Sequence, residues 1–202
     1  MNFLAHLYLA DGSDEGLLGA LMGDFVKGPL VDGYPPGILH GIALHRRIDA
    51  FTDSHPVVLR SKQRVSGQRR RFAGIMVDMF YDHFLARDWD DFNDEPLDDF
   101  TCRAYRLLAE HNEMLPERLR HIVPAMARAD WLGSYARVES IRTALDRMAR
   151  RLKHENTLPG SADELEGRYP EFEQDFRAFL PEVRRFALGQ TADHLAPRAR
   201  HS

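Results

Sequence analysis

Apolar residues recur along this chain at spacings of three and four, the repeat of amphipathic helices, rather than at the alternation of strands. Leu17, Leu18, Leu21 and Phe25 follow an Asp11-Gly12-Ser13-Asp14 turn and predict a helix over about Glu15–Val26, closed by Lys27-Gly28-Pro29. Ile38 and Ile42 begin a second stripe, over Gly37–Asp53, between the start signal Tyr34-Pro35-Pro36 and the stop signal His55-Pro56. Phe72–Ala86 is a strongly apolar helix with Ile75, Met79, Leu85 and Ala86 on its inner side. Further helices are expected over Phe100–Leu115, Glu117–Ala129 and Gly133–Leu152, where Val138, Ile141, Leu145 and Met148 set the period. Ser161–Glu164 caps another, Tyr169-Pro170 interrupts it, and Glu171–Leu188 forms the last. Asn2–Leu9 fits either a strand or the first turns of a helix capped by Asn2. No strand pattern persists elsewhere. The expectation is an all-α single domain of about seven to nine helices over 1–190, with a loose tail over 191–202.

Composition adds few constraints. The 202 residues suffice for one substantial core, and 44% apolar with 29% charged residues is ordinary for a soluble globular protein. A net charge of −4 gives no general case for binding nucleic acid or a membrane. No apolar run approaches the ~18 residues of a membrane span, and the opening MNFLAHLYLADGSDEG has neither a basic n-region nor a cleavage site. The single cysteine, Cys102, excludes an internal disulfide framework; it fits a reducing cytoplasm and is expected only to pack.

The charge pattern changes the picture in two places. The stripe of Ile38 and Ile42 continues at helical period into His45 and Asp49, so an imidazole and a carboxylate point where aliphatic groups belong. A buried carboxylate needs a proton, an arginine or a metal ion. Asp78 and Asp82, four apart on the apolar face of Phe72–Ala86, repeat the pattern beside His83; His6 and Asp24 lie near other apolar faces. This His and Asp set without thiolates suits Mn²⁺ or Mg²⁺, which would activate water against a phosphoryl group. Asp24, His45, Asp78, Asp82 and His6 are the candidate ligands. Asp49 would ligate, orient His45 or act as base, His83 would ligate or support Asp82, and Arg46 and Arg47 would hold phosphate oxygens. The alternative is a purely structural polar network.

Second, Ser54–Val77 contains no acid, and Arg60, Lys62, Arg64, Arg69, Arg70 and Arg71 place six cations in twelve residues. The run predicts a docking surface for an acidic partner, with the basic end of the Gly133–Leu152 helix (Arg142, Arg147, Arg150, Arg151, Lys153) as its second part or as a complement to the helix dipole. The acidic Asp88–Asp99 segment reads as a solvated loop.

With these residues in hand, the sequence resembles the acyl carrier protein phosphodiesterase family. The matching stretches are MNFLAH ending at His6, GDFVKG from Gly23 to Gly28, GIALHRRID from Gly41 to Asp49 with Thr52-Asp53 after it, and DMFYDHFL from Asp78 to Leu85. The resemblance implies a helical relative of HD-type phosphohydrolases with a metal, expected to be manganese. It implies cleavage of 4′-phosphopantetheine from the serine of holo-acyl carrier protein, a small acidic substrate. The pair Asp82-His83 reverses the usual HD order. Rival readings are a metal phosphohydrolase acting on a nucleotide or other small phosphodiester, and a non-enzymatic helical module binding an acidic partner.

Overall fold

The computed structural model describes residues 1–30, 33–152 and 154–195. Among them are eleven α-helices, three short 3₁₀ turns and no strand. The helices are α1 (Phe3–Tyr8), α2 (Asp14–Met22), α3 (Pro36–Ser54), α4 (Pro56–Arg64), α5 (Ala73–Arg87) and α6 (Leu97–Glu110). They continue as α7 (Glu117–Arg128), α8 (Trp131–Ser134), α9 (Val138–Arg150), α10 (Ala162–Gly167) and α11 (Tyr169–Leu195). The all-α expectation holds, with more helices than the periodicity suggested. Asn2–Leu9 resolves as helix, Gly133–Leu152 divides into α8 and α9, and Tyr169-Pro170 opens α11 instead of interrupting a helix. Proline is tolerated there because the first-turn amides have no intrahelical partner. α11 also runs past the expected tail boundary, while 196–202 and Lys153 lie outside the described residues.

α5 is the central helix. Met76, Val77, Phe80, Tyr81, Phe84 and Leu85 are all buried, as expected of a helix that is apolar almost all round, and α1, α4, α9 and α11 pack on it. Ile75 departs from the expected pattern: it is 40% exposed and faces a cavity. α11 covers α3, α4 and α5 with aromatic rings, Phe172 edge-on to Phe80 at 5.1 Å and Phe176 against Tyr81 at 5.7 Å. Cys102 is exposed rather than packed.

α2 and α3 form the closest helix pair, and glycine explains why. A Cβ on Gly19 would lie 2.4 Å from the Ile38 carbonyl oxygen, and one on Gly41 would lie 2.8 Å from that of Gly16. Backbone therefore meets backbone at this crossing, fixing the middle of α2 against the first turns of α3. Ser13 caps α2 by accepting from Gly16 N–H at 3.0 Å.

Candidate metal centre

The α2–α3 crossing places Asp24, just beyond the end of α2, beside His45 of α3. His45 Nε2 lies 3.6 Å from Asp24 Oδ1 and 3.2 Å from Asp49 Oδ2, one turn further along α3. Gly23 makes room for it, since a Cβ there would fall 2.2 Å from His45 Cγ. α1 brings His6, whose ring stacks on that of His45 with centroids 3.7 Å apart and whose Nε2 lies 3.0 Å from Asp49 Oδ1. One donor atom each of His6, His45 and Asp49 falls within 4.8 Å of the others. Asp78 of α5 joins through the Met1 ammonium, which lies 3.3 Å from both Asp49 and Asp78. The structure thus brings together His6, Asp24, His45, Asp49 and Asp78.

The proton arrangement shows that this centre demands positive charge. A carbonyl oxygen can only accept, so the 2.7 Å contact of His45 Nδ1 with Ala20 O fixes a proton on Nδ1. Nε2 then faces two carboxylates either as a second N–H or as a lone pair directed at a cation; a bare lone pair would be repelled. Burial disfavours the charged ring, but hydrogen bonds to Asp24 and Asp49 outweigh it and raise the His45 pKa to about 9. His6, fully enclosed, is lowered to about 4 by burial and is neutral at pH 7; its buried Nδ1 has no hydrogen-bond partner. Asp49 moves below the usual carboxylate range although burial opposes this, because His45 and His6 donate to it. Burial raises Asp78 in spite of the Met1 ammonium. Two imidazoles, three carboxylates and a site that favours a cation fit a hard or borderline divalent metal.

Two candidates from α5 take other roles. Both Asp82 oxygens are held by backbone amides at the start of α1, Leu4 N–H at 2.9 Å and Ala5 N–H at 3.1 Å. The carboxylate is wholly buried and caps α1 from another helix, doing what Asn2, bonded to Met79 Sδ, does not. Asp82 therefore positions His6. Burial pushes its pKa up to about 7 despite those amides. His83 donates from Nδ1 to Tyr135 O at 2.8 Å, and its Nε2 pairs with the Tyr169 hydroxyl at 2.6 Å. Neither joins the cluster: an inward direction was legible in the sequence, but the identity of the partner was not.

The arginines expected on phosphate are also committed. Arg46 donates to Val26 O and Gly28 O at 2.9 and 2.8 Å, which ties the segment after Asp24 to α3. Arg47 points to Gln190 of α11. The basic run is largely consumed inside the fold, contrary to the free docking surface expected. Arg60 and Arg64 both clamp the fully buried Asp175, Lys62 pairs with Asp53, Arg69 with Glu164, and Arg70 caps the carbonyls of Gln63 and Val65. Arg71 stays exposed beside Phe72. In the acidic segment Asp88 is paired as well, to Arg87 and Arg177.

The cluster opens, through Asp24 and Asp78, into a cavity of about 790 Å³. Phe3, Phe25, Ile75, Met79, Trp131 and Met148 give it apolar walls. Arg118, Arg137, Arg147 and Arg151 also line it. Sequence reading missed Arg118, Arg137 and the cavity walls, because they come from separate segments and share no periodic signal. The glycine before Asp24 was the one local clue to the cradle behind His45.

Among the described residues, no helix is long and apolar enough to cross a membrane. No solved structure matches the chain. A family described as acyl carrier protein phosphodiesterase matches residues 1–183. An acyl carrier protein phosphodiesterase from Yersinia enterocolitica is 40% identical over 182 residues, 90% of this chain and 94% of the relative. Those of Pectobacterium atrosepticum and Escherichia coli O6:H1 are 38% identical over 191 residues and 35% over 184; they cover 94% and 91% of this chain, and 99% and 95% of their own lengths. With the match running from the stacked histidines to the covering helix α11, the chain belongs to the acyl carrier protein phosphodiesterase family.

Proposed function

We propose that this protein hydrolyses the phosphodiester joining 4′-phosphopantetheine to the serine of holo-acyl carrier protein. Water adds to phosphorus, the bond from phosphorus to the serine oxygen breaks, and the serine regains a hydroxyl proton. The products are the apo carrier and the phosphomonoester of the released arm. Family membership supports the substrate. The observation that carries the chemistry is the convergence of His6, His45 and Asp49 at the end of a cavity that also exposes Asp24 and Asp78.

His6, Asp24, His45, Asp49 and Asp78 would hold the metal, Mn²⁺ or Mg²⁺. When bound, such an ion polarises a phosphoryl oxygen and acidifies a coordinated water. The protein's own groups prepare the site. Ala20 O fixes the His45 tautomer, so that Nε2 is the atom presented to the centre. Asp82 holds α1 and thereby His6, and Arg46 holds the segment that carries Asp24. The apolar walls offer the arm of the substrate a surface to pack against.

The test is to incubate pure protein with holo carrier, with and without Mn²⁺, and to weigh the carrier by mass spectrometry. Loss of the arm only in the presence of metal is expected. An intact carrier under all metal conditions refutes the reading. Asp78→Ala should release the arm far more slowly than the parent; an unchanged rate would remove Asp78 from the centre.

A further inference from the structure

The Arg60–Arg71 run is mostly neutralised within the fold, which leaves open where an acidic protein would meet this enzyme. We infer that the carrier docks on the cationic mouth of the cavity, formed by Arg118 of α7, Arg137 before α9, and Arg147 and Arg151 at the end of α9. This inference rests on the carrier-phosphodiesterase reading of the same cavity.

Three observations support it. All four guanidinium groups belong to exposed residues, and none has an acidic partner among the described residues, whereas Arg60, Lys62, Arg64 and Arg69 each have one. Second, they line the cavity that Asp24 and Asp78 reach, so a protein seated on them would present an appended arm directly to the metal centre. The only carboxylates lining that cavity, among the described residues, are those two. Third, the cations come from three separate segments around an opening with apolar walls. Exposed, separated charges suit a broad protein face better than one small anion, which is held by converging, buried donors.

The experiment compares single charge reversals: Arg147→Glu and Arg151→Glu at the mouth, and Arg71→Glu in the run as an equal change of charge. Each mouth variant should raise KM for holo carrier about threefold, and the two together about tenfold, with the rise shrinking at high salt. Arg71→Glu should leave KM within about twofold. Circular dichroism and Mn²⁺ content establish that each variant is folded and loaded. Unchanged KM in the double mouth variant, or a larger rise for Arg71→Glu, overturns the inference. Binding of apo carrier, followed by interferometry, needs no chemistry and separates the two readings. If the wild type binds apo carrier through Arg147 and Arg151 but never releases the arm, docking stands and the proposed hydrolysis fails. If apo carrier does not bind, or binds the double mouth variant equally well, docking fails whatever the turnover.

Discussion

Asp82→Asn separates two roles that the sequence alone could not. If Asp82 is a cap, the substitution removes one of two oxygens that accept from Leu4 and Ala5, at 2.9 and 3.1 Å in a fully buried position. The new amide NH₂ then faces a backbone N–H, donor against donor. A lost charge-assisted hydrogen bond is worth about 1.5–3 kcal/mol, and an unsatisfied buried amide costs about 1–3 kcal/mol. Against this, relief from burying a charge whose pKa has risen to about 7 returns part of the loss. A net cost of about 3 kcal/mol is reasonable and corresponds to a fall in Tm of about 6–12 °C for a chain of this size. The assay is thermal unfolding by circular dichroism at saturating Mn²⁺, with metal content measured on the same samples. Both a lower Tm and a retained metal are expected. Loss of the metal from the variant would show that Asp82 ligates, and a Tm within 2 °C of the parent with the metal retained would show that it does not cap α1.

Other outcomes follow from the same geometry. Mn²⁺ at about one hundred times its Kd should stabilise the fold by about 2.7 kcal/mol, raising Tm by about 5–11 °C, and chelator should reverse this; no shift would mean that the cluster holds no ion. Gly23→Ala drives a methyl to 2.2 Å from His45 Cγ, so calorimetry should show Mn²⁺ affinity falling about tenfold or more while helical content is kept; unaltered affinity would remove Gly23 from the site. Asp175→Ala strands Arg60 and Arg64. Their exposure at 50% and 23% lets them turn to water, so about 3 kcal/mol is expected, the low end for breaking a buried pair, and urea titration reads it. The pH dependence has a definite sign. Burial would raise Asp175, but Arg64, Arg60 and Ser61 outweigh it and its folded pKa is lowered. Its stabilisation is therefore full above the unfolded value near 4 and is lost as pH falls below that. The wild type should weaken more than Asp175→Ala over that acid range.

The α3 stripe was legible because periodicity reports direction: Ile38, Ile42, His45 and Asp49 all turn inward or toward the cluster. The same rule brought Asp82 inward correctly and then misassigned it. Its partners are amides seventy-seven and seventy-eight residues earlier, whose exposure depends on where α1 begins. The basic run failed for the same reason. Its cations are conspicuous in sequence, but Asp175 and Glu164, which neutralise three of them, lie about a hundred residues downstream with no local mark. Helix existence survived better than helix limits. Tyr169-Pro170 was a legitimate boundary signal, but it fell on the opening turn of α11 and not on its interior.

The glycine crossing of α2 and α3 has a consequence for ion choice. With Gly19 and Gly41 in contact, no deformable layer of side chains cushions the gap between the Asp24 and His45 segments. In the proposed centre, the distance between the backbones that carry Asp24 and His45 would therefore be set by this main-chain contact. Adjustment to ions of different radius would then fall to the carboxylate rotamers of Asp24, Asp49 and Asp78, so a bulkier residue at the crossing should blunt discrimination between ions before it unfolds the protein.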